Sequence, residues 1–231
     1  MYLLLDIGNT REKAALVKQG KVTALPQLAV DNLAKLPIKA VYFASVASQE
    51  KVALLKQLLG LDHLPWRQVH SDAQAYGVRS SYQQPQTLGV DRWLAMLGAQ
   101  LLFPTESVLI IDAGTAVTVD WVDHEGQHGG GWIIPGLKMQ QQAVVKNTAK
   151  VFNSEMFNGR LEPGTDTVTG LQNGCLAAVL GAIRLAWQQS PCSKLLLTGG
   201  DAKFLKPHLG DLPLVVEPLL IFYGLARYID M

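Results

Sequence analysis

Two parts of this 231-residue chain share a pattern in which an apolar run ends in aspartate, a glycine and a small hydroxylated residue. The first is Leu3–Thr10 and the second is Leu109–Ala116. Alternating apolar residues follow each, which predicts a buried strand that continues as a β-hairpin. Glycine lets the turn approach a ligand closely, and the aspartate can hold a hydrated cation beside phosphate. The repeat predicts two related lobes with a nucleotide between them.

Composition indicates a globular chain with no strong electrostatic bias. Apolar residues make up 48%, charged residues 17%, and the formal net charge is +1. A field that would attract nucleic acid or an anionic membrane is therefore not expected, and neither is predicted as a partner. No secretory signal pattern is visible, and the longest strongly apolar stretch is shorter than the roughly 20 residues of a membrane span. We expect a soluble cytoplasmic protein in which Cys175 and Cys192 are free thiols.

The order of predicted elements indicates an α/β fold. Strands precede helices in both halves, and the boundary is predicted near Thr105, giving lobes 1–105 and 106–231. Helices are predicted at Glu50–Leu59, Asp91–Phe103, Leu137–Thr148, Thr167–Gln188 and Pro218–Tyr228. The apolar stripe of Thr167–Gln188 fits an intrachain core or a dimer interface equally well. His63–Tyr82 mixes aromatic, polar and small residues and is predicted to contain loop, and Gly129–Gly131 is predicted to interrupt a hairpin.

Several common site motifs are absent. The sequence has no G-x-x-x-x-G-K-[ST], and no G-x-G-x-x-G opens a helix after a strand. His124 and His128 are four residues apart, a spacing that would suit a metal on a helix. Flanking glycines disfavour that helix, so a zinc site is disfavoured too.

The first repeat carries a compact polar cluster of Asp6, Gly8, Asn9, Thr10 and Lys13. A β-turn satisfied by its own side chains would explain it, with the lysine exposed on a strand. Recurrence of the pattern at Asp112, Gly114 and Thr115 favours phosphate binding, for which the lysine supplies a point charge.

A third cluster begins where the helix near residue 91 is predicted to start. Asp91 fits a helix N-cap or a catalytic base equally well. Arg92 opposes the helix dipole there, which suggests a tertiary role such as anion binding.

Together these segments resemble the type III pantothenate kinases, which belong to the acetate and sugar kinase, Hsp70 and actin superfamily. The resemblance covers almost the whole chain and rests on five motifs in order. They are Asp6–Lys13 (D-x-G-N-T-x-x-K), Gly89–Arg92 (G-x-D-R), Asp112–Thr118 (D-x-G-T-A-x-T), Gly131–Gly136 (G-G-x-I-x-P-G) and Thr198–Asp201 (T-G-G-D).

The resemblance implies two similar ribonuclease H-like lobes with mixed sheets flanked by helices and a nucleotide cleft between them. It implies ATP-dependent phosphorylation of pantothenate, the first step toward coenzyme A, with Mg²⁺ and a monovalent cation, K⁺ or NH₄⁺. It also implies a homodimer.

Residue roles follow from the same resemblance. Asp91 is implied as the general base and Asp112 as the ligand of the monovalent cation. The implied nucleotide-binding residues are Asp6, Ile7, Gly8, Asn9, Thr10, Arg11, Glu12, Lys13 and Thr115. The implied pantothenate-binding residues are Tyr82, Gly89, Val90, Asp91, Arg92 and Thr167, the last preceded by Asp166 where the family often has Asn.

Three other functions stay open from the sequence. A kinase of another small alcohol or acid would share both phosphate loops. A noncatalytic transcription-accessory relative would not need the acidic residues. An actin- or Hsp70-like nucleotide switch would need more chain than is present here.

Overall fold

The computed structural model describes residues 1–8, 11–26, 33, 35–152, 154 and 156–229. The chain forms two compact units. The first unit comprises Met1–Thr105, Glu125–His128 and Leu219–Met231, and the second comprises Glu106–His124 and Gly129–Pro218. Of the predicted nucleotide-binding residues, Asn9 and Thr10 lie outside the described residues.

The strands and helices are numbered in chain order. The strands are β1 (Tyr2–Ile7), β2 (Glu12–Lys18), β3 (Lys21–Leu25), β4 (Ala40–Ser45), β5 (Trp66–Gln68), β6 (Gln74–Ala75), β7 (Val78–Arg79), β8 (Val108–Ala113), β9 (Ala116–Val122), β10 (His128–Pro135), β11 (Lys194–Thr198) and β12 (Leu214–Val216). The helices are α1 (Gln49–Leu58), α2 (Val90–Leu102), α3 (Leu137–Asn147), α4 (Thr167–Gln189), α5 (Ala202–Leu205) and α6 (Leu220–Ala226). Short 3₁₀ turns occur at Pro85–Thr87 and Lys206–His208.

Each unit contains a five-stranded mixed sheet with the same strand order. In the first unit the order is β3-β2-β1-β4-β5, and in the second it is β10-β9-β8-β11-β12. The central strand of each sheet, β1 or β8, pairs antiparallel with the strand that follows it and parallel with a later strand, β4 or β11. The prediction of two similar α/β lobes with mixed sheets flanked by helices is confirmed.

The first unit packs two helices closely against each other. Helix α2 buries Trp93, Leu94 and Met96 completely. Gly98 on α2 and Gly224 on α6 allow the two backbones to approach, because a β-carbon on either would overlap a carbonyl of the other helix. Leu219–Met231 group with the first unit, whereas the boundary predicted near Thr105 assigns them to the second lobe.

The second unit is organised around α4. Cys175, Val179 and Ile183 are buried in its core, and Leu171 and Trp187 pack against that core while partly buried. The apolar stripe of α4 is thus an intrachain core stripe. By length and composition α4 would also pass as a membrane span, a test that the core helix of a soluble protein passes as well.

The two cysteines are unpaired, as the sequence predicts. Cys175 is buried on α4 and Cys192 is half-buried. Burial raises the pKa of both thiols, which keeps them protonated and unreactive at neutral pH.

One local prediction is wrong: the glycine run Gly129–Gly131 does not interrupt a hairpin but lies inside β10. The segment His63–Tyr82 contains the predicted loop, which connects three short strands, β5 to β7. These strands carry too few residues to show a period.

We predict that Gly224→Ala destabilises the protein by about 1–3 kcal/mol, because the added methyl group overpacks the α2–α6 contact. Gly181→Ala on α4 is the matched control, since no atom lies within 4 Å of a β-carbon there. Removing a helical glycine at that open position should stabilise by roughly 0.5–1 kcal/mol. Urea unfolding of both variants measures the difference, and equal stabilities would contradict the packing interpretation.

Candidate active site

The first candidate phosphate loop joins β1 to β2. Asp6 and Lys13 are direct cross-strand partners in this antiparallel pair. Residues opposite each other in such a pair project from the same face of the sheet, with β-carbons about 5 Å apart. Asp6 is half-buried and Lys13 is exposed. The hairpin thus presents a carboxylate and an ammonium group from one face, as phosphate and a hydrated cation would require.

Lys51 on α1 holds both ends of this loop. Its Nζ donates to the carbonyl oxygen of Gly8 at 2.7 Å and forms an ion pair with Glu12 at 2.7 Å. The hydrogen bond from Lys51 lowers the pKa of the Glu12 carboxyl. Within the loop, Gly8 N–H donates to the carbonyl of Arg11 at 3.0 Å. No sequence pattern indicates this role of Lys51, because it lies 43 residues from Gly8.

The second candidate phosphate loop joins β8 to β9 with a similar closure. Gly114 N–H donates to the carbonyl of Ala116 at 3.0 Å, as Gly8 does to its own loop. Here the residue opposite Asp112 is Thr118, so this hairpin carries no lysine at the equivalent register position. Thr115 is exposed at the tip of the turn.

Two further predicted motifs meet this second loop. The carbonyl of Thr115 accepts from Gly136 N–H at 3.1 Å, and the carbonyl of Ala113 accepts from Asp201 N–H at 2.9 Å. Gly199 has φ +93°, and a β-carbon there would lie 2.5 Å from Oδ1 of Asp112. Only glycine leaves that carboxylate its space. The structure thus brings three of the predicted motifs together within the second unit.

The Asp112 carboxylate is half-buried at the end of β8. Its oxygen atoms are hard donors of the kind that alkali and alkaline-earth cations prefer. Among the residues the structure describes, no group of three or more His, Cys, Asp or Glu could hold a metal ion.

The third motif forms the start of α2. Gly89 is the N-cap, so the interpretation of Asp91 as the cap is wrong, and the aspartate lies in the first turn. Its Oδ1 accepts from the backbone N–H of Arg92 at 2.8 Å. A carboxylate in the first turn is favoured by the helix dipole. Asp91 is half-buried, whereas Arg92 is only 4% exposed.

Arg92 makes side-chain contacts with Tyr82. Its Nη1 donates to the phenol oxygen of Tyr82 at 2.8 Å, and its guanidinium carbon lies 5.7 Å from the centre of that ring. A buried guanidinium needs such partners to offset its lost hydration. The structure thus brings Tyr82 next to Arg92 of the Gly89–Arg92 motif, in which Asp91 adjoins Arg92.

His128 joins this cluster, although its spacing from His124 in the sequence suggested only a zinc ligand. Its ring is stacked on Tyr82 with centroids 6.0 Å apart and planes 16° from parallel. Its Nδ1 lies 3.2 Å from Oγ of Ser81. No sequence pattern predicts this contact, because a single histidine beside glycines is not part of a repeating apolar or polar spacing.

Thr167 lies at the first position of α4 and is exposed. Asp166 caps the helix by accepting from Thr169 N–H at 2.9 Å, and that hydrogen bond lowers the pKa of its carboxyl. The aspartate in place of the family's Asn thus performs a capping role. A cavity of about 400 Å³ lies nearby, lined by residues that include Arg160, Gly164 and Asn173 but neither Asp91 nor Asp112.

Comparison with known proteins places these motifs in a family. The model of the type III pantothenate kinase family matches residues 2–189. A type III pantothenate kinase from Colwellia psychrerythraea is 37% identical, covering 99% of this chain and all of the relative.

Among solved structures, a Campylobacter jejuni protein assigned to the Baf family of transcriptional activators is similar in fold. It has a TM-score of 0.59 and 24% identity, over 97% of this chain and 96% of that one. The activator of 2-hydroxyisocaproyl-CoA dehydratase from Clostridium difficile, with bound ADPNP, has a TM-score of 0.53 and 14% identity, over 98% and 93%. At these identities the two structures support the fold alone. By its family model and its full-length relative, the chain belongs to the type III pantothenate kinase family.

Proposed function

We propose that this protein transfers the γ-phosphate of ATP to the primary hydroxyl of pantothenate, with Asp91 as the general base. The product is 4'-phosphopantothenate, the first intermediate on the way to coenzyme A. Membership of the family supports the reaction. The observation that carries the assignment of the site is the cluster at the start of α2, where Asp91 adjoins Arg92 and Arg92 donates to Tyr82.

ATP is proposed to bind at the two hairpin loops. The segment Asp6–Lys13 would contact the β- and γ-phosphates, and Thr115 would contact the phosphates from its own loop. Lys13 supplies a positive charge, while backbone N–H groups of the turns can face phosphate oxygens. Lys51 is proposed to keep the first loop in shape, since it contacts both Gly8 and Glu12.

Pantothenate is proposed to bind near Gly89, Val90, Asp91 and Arg92. Tyr82 is half-buried and more accessible than Arg92, so its phenol is the better placed of the two to meet a ligand. Arg92 contributes the positive charge that a substrate carboxylate needs. Thr167 is proposed as a further contact on the basis of the family motif.

Asp91 would act as the pantothenate hydroxyl attacks the γ-phosphorus. The new oxygen–phosphorus bond forms as the bond to the bridging oxygen of ADP breaks, and the hydroxyl proton passes to the Asp91 carboxylate. Phosphoryl transfer depends mainly on alignment and on charge stabilisation. A rigid first turn of α2 serves alignment, because the neighbouring backbone N–H fixes one carboxylate oxygen.

Two cations are proposed. Mg²⁺ would accompany ATP near Asp6, and K⁺ or NH₄⁺ would bind at Asp112. When bound, they would offset phosphate charge. A homodimer and a cytoplasmic location are proposed from the family resemblance. Since the core stripe of α4 is buried, a dimer would use other surfaces, and Phe152, Met156 and Leu161 are exposed apolar residues available for one.

The alternatives from sequence are weaker. A transcription-accessory relative would have no need of Asp6, Lys13, Asp91 and Asp112 together, and the similarity to the Campylobacter protein concerns fold alone. A kinase of another alcohol would leave the Gly89–Arg92 motif without an explanation. A panel of alcohol substrates with ATP separates these possibilities.

We predict that the purified protein phosphorylates pantothenate with ATP and Mg²⁺ and that turnover depends on K⁺ or NH₄⁺. A coupled ADP-release assay in sodium buffer, with and without added potassium, measures both. Asp112→Asn should abolish the potassium response, because it removes the charge proposed to hold the ion. Full activity without a monovalent activator would remove Asp112 from this role, and no ADP release with pantothenate would refute the function.

We predict that Asp91→Asn lowers kcat by about 10²–10⁴-fold, the usual contribution of a general base. The substitution keeps an oxygen that can accept from Arg92 N–H, so the fold should persist. Asp62→Asn, an exposed site, is the control and should retain wild-type turnover. If Asp91→Asn retained kcat within about threefold, Asp91 would not be the base.

We predict that Lys51→Met raises KM for ATP about tenfold and leaves KM for pantothenate nearly unchanged. It removes a charge-assisted hydrogen bond to Gly8 and the ion pair with Glu12, interactions worth roughly a factor of ten together. Lys56→Met on the same helix is the matched control, because Lys56 contacts Trp66 instead. Steady-state kinetics with each substrate varied in turn measure both KM values. Equal KM values for ATP in the two variants would contradict the prediction.

A further inference from the structure

We infer that His128 is a positioning residue for the pantothenate site and that it acts through Tyr82. The inference rests on the proposed function, since it assigns His128 to the site that Tyr82 and Arg92 are proposed to form. It is carried by the ring stack between His128 and Tyr82, by the contact of His128 with Ser81, and by the nearly complete burial of the imidazole.

The phenol of Tyr82 has a defined task in the cluster. Its oxygen accepts from the guanidinium of Arg92, which leaves its O–H to donate elsewhere. That donation can be directed only if the ring is held in one orientation. A half-buried tyrosine next to a turn would otherwise rotate among several rotamers.

His128 supplies that restraint. The two rings lie nearly parallel, at a separation typical of attractive offset stacking. The imidazole is itself fixed, because it is 1% exposed and its Nδ1 lies 3.2 Å from Ser81 Oγ. Ser81 precedes Tyr82 in the chain, so the histidine contacts both the ring to be oriented and the backbone segment that carries it.

The segment that carries His128 is anchored without the help of its ring. Arg79 N–H donates to the carbonyl of Gly126 at 2.9 Å. The side chain of Gln127 accepts from Arg79 Nε at 3.2 Å and donates to the Arg79 carbonyl at 3.3 Å. Because these bonds hold residues 126–127 in place, substitution of His128 should change the ring contact more than the course of the chain.

The test compares His128→Asn with His128→Phe. Asparagine can retain a hydrogen bond to Ser81 but has no ring to stack, whereas phenylalanine retains a flat ring. We expect His128→Asn to raise KM for pantothenate about 3- to 10-fold, the range of an aromatic pair, with KM for ATP within about twofold of wild type. His128→Phe should stay within about threefold for both substrates.

A double-mutant cycle distinguishes positioning from general stability. In a Tyr82→Leu background, His128→Asn should raise KM for pantothenate by less than about twofold, because its target ring is gone. Trp66→Leu is the control for loss of an aromatic pair elsewhere in the unit, where Trp66 meets Phe43. It should lower the thermal midpoint without changing either KM.

Each outcome has a separate meaning. If the wild-type protein turns over pantothenate and His128→Asn leaves KM for pantothenate unchanged, the inference about His128 is overturned and the proposed function stands. The inference is also overturned if His128→Asn raises KM for ATP and for pantothenate equally. The same holds if His128→Asn raises KM for pantothenate by the same factor in the Tyr82→Leu background as in the wild type. Wild-type protein with no pantothenate turnover refutes the proposed function, and the inference falls with it.

Discussion

Pairing between the central strand of each sheet and the strand that follows it determines what each unit can present to a ligand. In the first unit this register sets Asp6 opposite Lys13, and in the second it sets Asp112 opposite Thr118. A shift of one residue would turn these side chains to the other face of the sheet. Leu3, Leu4, Leu5, Leu109 and Ile111 are all fully buried, so both faces of the central strands are packed and neither has room for a displaced aspartate. Core packing and the polar ends of the hairpins are therefore fixed by one register.

The two hairpins share a strand arrangement but differ in their side chains. Both close with a glycine N–H that donates across the turn at 3.0 Å. The first has Lys13 on its second strand and is contacted by Lys51 from α1. The second has Thr118 at the position that corresponds to Lys13, and Gly199 approaches Asp112 closely. The same sheet topology thus presents different charges at its two hairpins.

The buried guanidinium of Arg92 connects the local sequence to the wider site. Burial of a charge is costly unless partners replace water, and Tyr82 provides one such partner. Tyr82 in turn depends on neighbours that lie far away in the chain, including His128. The first turn of α2 is consequently part of a polar network and not only a helix start.

Much of the fold was predictable because the spacing of apolar residues along the chain indicates it. The hairpins, α2 and α4 follow from apolar spacing, and their observed bounds lie within a residue or two of those expected. The short strands β5 to β7 and the strand that includes Gly129–Gly131 were missed, since few residues or many glycines leave no pattern to read. The grouping of α6 with the first unit has no local signal in the sequence, because α6 contacts Gly98, which lies more than a hundred residues away.

By itself the sequence determined the family, the repeated Asp-x-Gly hairpins and the residue types at the start of α2, because these are contiguous and chemically distinctive. Tertiary structure alone decided that Lys51 binds the first loop, that Tyr82 accepts from Arg92 and that His128 stacks on Tyr82. The contacts of Lys51 and His128 join residues more than forty positions apart in the chain, and the contact of Tyr82 with Arg92 joins residues ten positions apart. Only tertiary packing brings these side chains within hydrogen-bonding or stacking distance, so the residues next to each of them in the sequence could not predict the contacts.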